Sequence, residues 1–482
     1  MARRRNPFPV LIGVALVPAL LLGGCWRFAA SRTPTSVTAP ADGGSQGTVP
    51  ATLPTPLLSV RRAPAVLARD VNITDFRTRA EAFMTRLDGA QCAAVSIDGK
   101  EVAATHEHTA LRPASNVKLF TAATALDVLG PAYTYTTDVR GSLKNGVVDG
   151  DLYLVGGGDP LLTSSWWKGP NTKYPPFNVT SIEEFAQRIK TAGVTSVTGG
   201  IVGDAGRYDD EWYPPSWTKD LRFSEGGPIS ALLANDSRES PTTSSNDPAV
   251  GAARVLRKAL ADVGVTVAGG ATAGTAPTSA PVIADITSKP LPAILEEMLT
   301  TSDNNTAEML LKEIGHQASG KGSREAGIGI VKQRLAAWNI PTDGLELYDG
   351  SGLSDDNRTT CATVLALLQH QRLDDPVGRG LAIAAKAGGT LSDAFVGTSL
   401  AGRLRAKTGT LYNYGDGVGG KPGAKSLSGF VPVDGGGAIE FSMLLNGPSI
   451  AEKNVYRPIW DAFGAVLASY PNGPTVAELA PK

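Results

Sequence analysis

The sequence predicts an α/β fold in which one domain is interrupted by a large insertion. Helices and strands of ordinary length fill residues 64–134 and 288–482, whereas residues 135–287 contain short strand-like runs and many turn clusters. Hydrophobic residues make up 42% of the 482 residues and charged residues 19%, which is typical of chains with ample cores. We therefore expect residues 64–134 and 288–482 to form one domain that carries accessory structure at 135–287.

The first 25 residues have the pattern of an export signal. Three arginines at positions 3–5 precede an apolar run that ends at Gly24. This run is short for a membrane span, which needs about 20 apolar residues, and it suits a signal sequence. The run ends in Leu-Leu-Gly-Gly before Cys25, which resembles a bacterial lipoprotein processing site. Acylation of Cys25, cleavage nearby and retention as an anchor stay open, and each predicts a location outside the cytoplasm.

Residues 26–63 are rich in Pro, Thr, Ser, Ala and Gly, which predicts a disordered tether. The net charge of −1 offers no basic field for nucleic acid. If Cys25 is acylated, Cys92 and Cys361 are left as an even pair, and export favours a disulfide between them. Whether their backbones come close enough stays open at this point.

Hydrophobic periodicity predicts the elements of the interrupted domain in chain order. They are a helix over 72–87, strands over 92–97 and 101–105, helices over 117–129, 293–299, 307–314, 327–338 and 362–369, strands over 404–410, 426–431 and 438–445, and a helix over 455–470. Within the insertion, we expect helices over 181–191 and 250–263, with strand-like runs over 150–155, 196–202 and 264–267.

Three short patterns carry the candidate chemistry, and they occur in a fixed order. They are Ser115-Asn116-Val117-Lys118 at the start of a predicted helix, Ser302-Asp303-Asn304 in a turn before a helix, and Lys407-Thr408-Gly409 on a predicted strand. Each pattern alone is weak, because a serine at a helix start is usually a cap and a Lys-Thr-Gly is usually without function. The three together, each in the appropriate structural context, are a strong signal.

The first pattern can supply an activated nucleophile. A serine hydroxyl is a poor nucleophile until a nearby base takes its proton. Lys118 follows Ser115 by three residues, which places both side chains on one helical face. A lysine acts as a base only when it is neutral, and both desolvation and a second cation lower a lysine pKa. We expect Lys407 to be that second cation.

The other two patterns can hold and process a peptide substrate. Ser302 can relay a proton to a leaving amine, and Asn304 can hold a substrate amide. A strand can pair with an extended peptide, while Lys407 and Thr408 address its carboxylate. Gly409 is expected to remove a side chain where the substrate backbone approaches closely.

The chain resembles the D-alanyl-D-alanine carboxypeptidase/endopeptidase family of low-molecular-mass, class C penicillin-binding proteins, across about residues 64–465. The resemblance rests on Pro113-Ala114-Ser115-Asn116-Val117-Lys118, Gly158-Asp159-Pro160, Gly203-Asp204, Pro228-Ile229-Ser230-Ala231-Leu232, Asp349-Gly350-Ser351-Gly352-Leu353-Ser354 with Asn357-Arg358, Ala406-Lys407-Thr408-Gly409-Thr410-Leu411, and Ser426-Leu427-Ser428-Gly429. The chain departs from the family at Asp355-Asp356, where a basic residue is common, so the substrate contacts of this loop are in doubt.

This resemblance implies a fold and a function. The fold is a serine β-lactamase/transpeptidase-like core, an antiparallel sheet with a helical cluster, that carries large inserted domains. The function is cleavage of peptidoglycan stem peptides ending in D-Ala-D-Ala through an acyl-enzyme on Ser115, with β-lactams as covalent inhibitors. The backbone amides of Ser115 and Thr410 would form the oxyanion hole, and neither a metal nor a cofactor is implied.

Two other functions compete with this interpretation. A class A-like β-lactamase shares the three patterns, but no Glu-x-x-Leu-Asn follows Ser302, and the large insertion is foreign to that fold. A non-catalytic wall-binding module of the same fold is the second alternative, and the intact Ser115, Lys118 and Lys407 argue against it. The balance between carboxypeptidase and endopeptidase activity, and the oligomeric state, stay open.

Overall fold

The computed structural model describes residues 63–480, except residues 170–172, 413–422 and 435. The predicted export signal at residues 1–25, with Cys25, therefore lies outside the described residues, as does the predicted tether up to residue 62. Among the described residues, no helix is both long and apolar enough to cross a membrane.

The helices of the described chain are α1 (Ala63–Met84), α2 (Val117–Leu129), α3 (Ile182–Thr191), α4 (Lys219–Ser224), α5 (Pro248–Asp262), α6 (Leu291–Thr301), α7 (Asn304–Ser319), α8 (Arg324–Ala337), α9 (Cys361–His370), α10 (Pro376–Gly380), α11 (Lys453–Leu467) and α12 (Val476–Leu479). The strands are β1 (Gln91–Ile97), β2 (Lys100–Thr105), β3 (Thr136–Lys144), β4 (Val147–Val155), β5 (Leu162–Thr163), β6 (Thr180–Ser181), β7 (Ser196–Val197), β8 (Ile201–Asp204), β9 (Arg238–Ser240), β10 (Thr243–Ser244), β11 (Thr266–Val267), β12 (Ala271–Ala273), β13 (Val282–Thr287), β14 (Ala382–Ile383), β15 (Arg405–Leu411), β16 (Gly423–Pro432) and β17 (Ala438–Gly447). Every helix and strand predicted for the interrupted domain overlaps one of these elements.

Helix α1 begins at Ala63, nine residues before its predicted start at Asn72. The buried Ala68 continues the four-residue spacing that the later apolar residues show. Asn72 is itself buried, and its side-chain oxygen accepts a hydrogen bond from the backbone of Gly473 near the carboxyl terminus. The polar Asn72 interrupts the apolar pattern of the buried face, so the sequence did not predict the first turns of the helix. Local sequence could not show that Asn72 is buried, because its hydrogen-bond partner lies about 400 residues away.

An antiparallel sheet of six described strands, here called the catalytic sheet, joins the two ends of the domain. Its order is β14-β15-β16-β17-β1-β2, so the first strands of the chain pair with the last. Helices α1 and α11 cover one face, where Phe76, Phe83 and Phe463 are buried. A helical cluster that includes α2, α6 and α7 has its own core against the other face.

A second, mixed sheet contains strands that all lie between Thr136 and Thr287. Its path is β11-β7-β4-β3-β13, with β8 pairing to β4 and β12. Helices α3 and α5 bury Phe185, Ile189 and Leu256 against it in a separate core. These strands all lie within residues 135–287, which we propose as the inserted accessory structure.

Cys92 and Cys361 form a disulfide that connects β1 to the first residue of α9. Their Cα atoms are 6.0 Å apart, and both side chains are fully buried. The structure therefore answers the question that the sequence left open. The disulfide links β1 of the catalytic sheet to α9 of the helical cluster. The two cysteines are 269 positions apart, so the disulfide joins chain segments that lie on either side of the predicted insertion in the sequence.

Candidate active site

Ser115 lies on a single turn of 3₁₀ helix, Ala114–Asn116, which leads directly into α2 at Val117. We call this segment the Ser115 turn. Ser115 is thus two residues before the α-helix proper, a small difference from the prediction. Ala114 has a left-handed backbone with φ of 48°, which costs roughly 1–2 kcal/mol in a residue other than glycine. The turn leaves Ser115 partly accessible while both of its neighbours are buried.

The catalytic sheet holds the Ser115 turn through two serines of β16. Ser426 Oγ donates a 2.7 Å hydrogen bond to the carbonyl of Pro113. Asn116 Nδ2 donates a 2.7 Å hydrogen bond to Ser428 Oγ. The position of the Ser115 turn is therefore fixed by buried polar contacts, which are costly to break once water is excluded.

Lys118 lies beside Ser115, as the three-residue spacing predicts. Its Nζ donates hydrogen bonds to Ser115 Oγ at 3.1 Å, to Asn304 Oδ1 at 2.6 Å and to the carbonyl of Ser351 at 2.7 Å. The side chain is 0% exposed. The amine is therefore oriented by two acceptors while it contacts the hydroxyl it would deprotonate.

Burial is the main reason that Lys118 is poised to act as a base. Removal from water lowers the pKa of Lys118 to about 8, against the opposing effect of Asp349, Glu308, Asp303 and Glu225. A substantial neutral fraction is thus present at physiological pH, although these carboxylates keep the amine from losing its proton completely.

Lys407 reaches the second motif from β15. Its Nζ donates to Ser302 Oγ at 2.8 Å and to the carbonyl of Thr408 at 2.7 Å, and its side chain is 0% exposed. Burial lowers the pKa of Lys407 well below its ordinary value, and repulsion from Lys118 and Lys425 lowers it further.

Burial is the first cause of the lowered pKa of Lys118. Repulsion between the two neighbouring amines lowers the pKa of Lys407 as well. The expected effect of Lys407 on the pKa of Lys118 stays a prediction.

The second motif forms a corner between two helices. Ser302 ends α6 in a left-handed conformation with φ of 68°, and Asp303 caps α7 by accepting a hydrogen bond from the Thr306 amide. Asn304 is the first residue of α7, and its side chain faces Lys118 at one end and the Glu225 carbonyl at the other. Among the described contacts Ser302 is bonded to Lys407, while Asn304 is bonded to Lys118.

Gly409 also makes a close packing contact within the protein, while its predicted role toward the substrate stays a prediction. A Cβ at this position would overlap Ser426 Oγ and would lie 2.8 Å from the carbonyl of Pro113. The glycine therefore lets β15 pack against the residues that precede Ser115. Thr408 is buried beside it, with 7% exposure, and pairs in register with Leu427.

The loop over residues 349–354 supports Lys118, and no spacing in the sequence indicated this. The Glu308 carboxylate accepts hydrogen bonds from the amides of Gly350 and Ser351, which fixes the carbonyl that Lys118 contacts. Asp349 accepts from the amide of Gly352 at 2.8 Å and from other donors. Burial, followed by repulsion from Asp349, raises the pKa of Glu308 to about 7.

Asp355, where the family commonly has a basic residue, forms an ion pair. Arg112 Nη1 lies 2.7 Å from Asp355 Oδ1, with the Arg112 side chain 4% exposed and that of Asp355 35% exposed. The acidic residue therefore anchors an arginine that comes three positions before Ser115.

Thr410 has a partner that sequence reasoning missed. Lys425, directly opposite on β16, donates a 2.7 Å hydrogen bond to Thr410 Oγ1. Its amine lies 4.1 Å from the centre of the Tyr456 ring and 5.0 Å from that of Trp460. Burial, and then the charge of Arg457, lower the pKa of Lys425 to about 7. Cross-strand pairing could have been predicted from β-strand register, but the aromatic partners lie on a distant helix.

The insertion contributes directly to the site. Trp217 Nε1 donates a 2.8 Å hydrogen bond to Asp349 Oδ2, and its ring is buried against Ala114 and Leu353. The Glu225 carbonyl accepts a hydrogen bond from the side chain of Asn304. Trp217 and Glu225 of the predicted insertion therefore both hold residues that surround Lys118. Among the described residues no group of three or more His, Cys, Asp or Glu side chains could hold a metal ion.

Known proteins match this chain over most of its length. Residues 80–246 and 233–469 match the D-Ala-D-Ala carboxypeptidase 3 (S13) family. The D-alanyl-D-alanine carboxypeptidase of an Actinomadura species is 29% identical over 511 residues, which cover 86% of this chain and 88% of the relative. Carboxypeptidase DacB of Mycolicibacterium smegmatis is 30% identical over 384 residues, which cover 74% and 75% of the two chains.

Among solved structures, penicillin-binding protein 4 from Haemophilus influenzae has a similar fold. The TM-score is 0.65 at 20% sequence identity, and the alignment covers 83% of this chain and all of that one. This likeness confirms the predicted transpeptidase-like core with its additional domains.

Proposed function

Because the chain belongs to the S13 family of D-Ala-D-Ala carboxypeptidases, we propose that Ser115 forms its acyl-enzyme and that Lys118 is the base. The protein is a serine-type D-Ala-D-Ala carboxypeptidase that acts on peptidoglycan stem peptides and binds β-lactams. One observation carries the assignment of the residues: a fully buried lysine amine lies 3.1 Å from the hydroxyl of a partly accessible serine.

Acylation begins when neutral Lys118 takes the proton of Ser115 as its oxygen attacks the carbonyl of the penultimate D-Ala. The carbonyl of Ser351 and the side chain of Asn304 hold the amine in place, so little reorganisation is needed. The negative oxygen that develops would be stabilised by the backbone amides of Ser115 and Thr410, near the amino-terminal end of α2. Collapse of this intermediate breaks the C–N bond and leaves an ester on Ser115.

The leaving amine needs a proton, and Ser302 is placed to deliver it. Its hydroxyl is bonded to Lys407 at 2.8 Å, so a proton given to the amine can be replaced from that lysine. Water then hydrolyses the ester, with Lys118 acting as the base a second time.

The terminal carboxylate of the substrate would meet Lys407 and Thr408. A carboxylate favours the charged form of a nearby lysine, so its arrival would protonate Lys407. The cation created in this way would then disfavour a second proton on Lys118. In the complex, Lys407 would therefore help to keep Lys118 neutral, and the substrate itself would contribute to activating the base.

We propose that the enzyme acts outside the cytoplasm, because the pattern of an export signal precedes a domain of the D-Ala-D-Ala carboxypeptidase family. We propose residues 1–25 as its export signal, with residues 26–62 as a tether and Cys25 as the candidate site of lipid attachment. Mass analysis of the mature amino terminus tests this, since acylated Cys25, a different first residue or an intact Met1 would each be distinguished.

Labelling with a fluorescent penicillin tests the assignment of the nucleophile. We expect a stable adduct on Ser115, and none in a Ser115→Ala variant that retains its thermal unfolding transition. An adduct on another serine would overturn the assignment. Fast turnover of the adduct would instead favour a β-lactamase, and failure of the native protein to react would favour a non-catalytic wall-binding module.

A further inference from the structure

The first turns of helix α1 and the short helix α12 expose apolar side chains. Ten large hydrophobic side chains are exposed among the described residues, and five of these ten lie on the two helices. They are Val66, Leu67, Val71, Val476 and Leu479, each between 36% and 55% exposed. A single exposed apolar residue is ordinary on a protein surface, whereas a cluster marks a surface that contacts something else.

Helix α12 follows a turn that is bonded to α1. Asn72 Nδ2 donates a 3.3 Å hydrogen bond to the carbonyl of Pro474, and Asn72 Oδ1 accepts one from the amide of Gly473. Val71 also lies beside this turn, since a Cβ on Gly473 would be 3.4 Å from Val71 Cγ1. Helix α12 begins two residues after Pro474 and packs against α1. The five apolar side chains therefore belong to one end of the domain, which we call the α1–α12 surface.

The chain enters the domain at this surface. Residue 62 connects directly to Ala63, the first residue of α1, and the 37 residues of the proposed tether over 26–62 connect this point to Cys25. A flexible linker of this length spans roughly 30–40 Å on average. Attachment of residues 1–25 to a membrane would therefore hold the α1–α12 surface close to that membrane and raise its effective concentration there.

The charges near the α1–α12 surface suit the headgroup region of an anionic bilayer. Residues 61–71 contain three arginines and one aspartate. Two of the arginines directly precede α1 in the sequence, and the third, Arg69, is half-exposed and pairs with Asp98 at 2.8 Å. Arginines next to exposed valine and leucine side chains are typical of helices that lie in the membrane interface.

The catalytic sheet separates α1 from the active site. Helix α1 packs on one face of the sheet, where Phe76 and Phe83 are buried. Ser426 and Ser428 of β16 hold the Ser115 turn on the side of the helical cluster, which packs on the other face. A bilayer in contact with α1 would therefore leave the Ser115 side of the domain directed away from the lipid.

We propose that the α1–α12 surface rests on the anionic outer face of the cytoplasmic membrane, and that this contact directs the active site toward the cell wall. The proposal rests on the proposed export signal and tether. The apolar side chains enter only the boundary between headgroups and acyl chains, in keeping with the absence, among the described residues, of a helix able to cross a membrane. A weak contact is sufficient, because the tether keeps the surface at the bilayer.

Photo-crosslinking tests what covers this surface. The full chain, with residues 1–25 intact, would be reconstituted into vesicles of equal parts phosphatidylglycerol and phosphatidylcholine. Benzoylphenylalanine would replace Leu67 or, as a matched control, Val282, which is equally exposed at 55% on β13 of the insertion. We expect lipid adducts at position 67 and a much lower yield at position 282, measured by mass spectrometry.

Charge reversal on the same surface tests the role of the lipid headgroups. Val66→Asp and Val71→Asp together should lower the lipid adduct at position 67 by about 25-fold, since each charge near an anionic bilayer changes binding roughly fivefold. Energy transfer from a fluorescent penicillin on Ser115 to a labelled lipid should rise in this variant, because the domain would lose its fixed orientation. Penicillin acylation itself should stay within about twofold, which also verifies the fold.

Four results would overturn the proposal: equal lipid yields at positions 67 and 282, a lipid adduct that the two aspartates leave unchanged, a crosslink from position 67 to a second copy of the chain, or energy transfer that does not change. Failure of the proposed function would be seen separately. In that case the native chain would not be acylated at Ser115, whatever the yield of lipid adducts.

Discussion

The side-chain oxygen of Asn304 accepts a 2.6 Å hydrogen bond from Nζ of Lys118, so the second sequence motif contacts the proposed base itself. Sequence reasoning assigned Asn304 to the substrate alone. The other end of the same amide is held by the Glu225 carbonyl, which fixes its orientation. Asn304 thus links the base to the insertion, and a charge placed at this position by substitution should change the basicity of Lys118.

Asn304→Asp should shift the pH profile of acylation to higher pH. A carboxylate at this distance favours the ammonium form of Lys118 and would raise its pKa by about 1–3 units. The measurement is the second-order rate of penicillin acylation between pH 6 and 10. Asn304→Ser, which adds no charge, is the control and should lower the rate without a comparable shift. A profile for Asn304→Asp that coincides with that of the native enzyme would show that Lys118 does not limit the pH dependence.

In the native enzyme, acylation should rise with pH and level off above about 8. The sign follows from the chemistry, because the neutral form of Lys118 accepts the proton and burial lowers its pKa to about 8. Below that pH, the rate should fall about tenfold per unit as the amine becomes charged. A rate that stays constant from pH 6 to 9 would exclude Lys118 as the titrating base.

Replacement of Lys118 should separate base catalysis from simple charge. Lys118→Ala should lower acylation by about 10² to 10⁴, the range for a positioned general base. Lys118→Arg should not restore it, since a guanidinium keeps its proton in proteins. Both are measured by penicillin labelling, with circular dichroism to verify the fold. Near-native rates in the arginine variant would mean that Lys118 has only an electrostatic role.

Lys407→Gln should reduce activity on a D-Ala-D-Ala acid more than on its C-terminal amide. The lost charge-assisted contact is worth about 1.5–3 kcal/mol, and the amide has no charge to lose. Values of kcat/KM for the two substrates give the comparison directly. Equal losses would mean that Lys407 does not read the carboxylate, and recognition would then have to come from Thr408 and Thr410.

Lys425→Met should slow acylation about fivefold while leaving thermal stability unchanged or improved. The variant removes the hydrogen bond to Thr410, worth roughly 1 kcal/mol, but keeps an apolar stem against Tyr456 and Trp460. It also removes a buried amine, whose desolvation is unfavourable. A loss of stability with unchanged acylation would show that Lys425 serves the packing of α11 and does not position Thr410.

Contacts between residues close in sequence could be predicted from the sequence. Lys118 meets Ser115 because three positions along a helical turn bring side chains together, and both the helix over 117–129 and the strands around Lys407 follow from local periodicity. The Gly199-Gly200 pair shows where this fails. The predicted run over 196–202 divides into β7 and β8 at these two glycines, where a Cβ would overlap the backbone of a neighbouring segment.

Contacts that depend on tertiary structure could not be predicted in this way. Glu308 and Lys118 are separated by 190 positions, yet the carboxylate opposes the loss of the lysine proton and fixes the carbonyl of Ser351. The packing contact of Gly409 could not be predicted for the same reason, since its neighbour Ser426 belongs to another strand. The sequence shows which residues are lysines and carboxylates. It does not show which of them are buried together, and that burial sets the pKa of Lys118.

The pairing of β1 with β17 in the catalytic sheet has a consequence for when the enzyme becomes active. Ribosomes make Ser115 almost 300 residues before Lys407, and the central strand β17 ends only at Gly447. A chain synthesised only as far as residue 287 thus has its nucleophile but lacks both β16, which holds the Ser115 turn, and the lysine that would receive the substrate carboxylate. Hydrolytic activity is therefore withheld until synthesis has passed β17, so the active site is completed long after its nucleophile has been made.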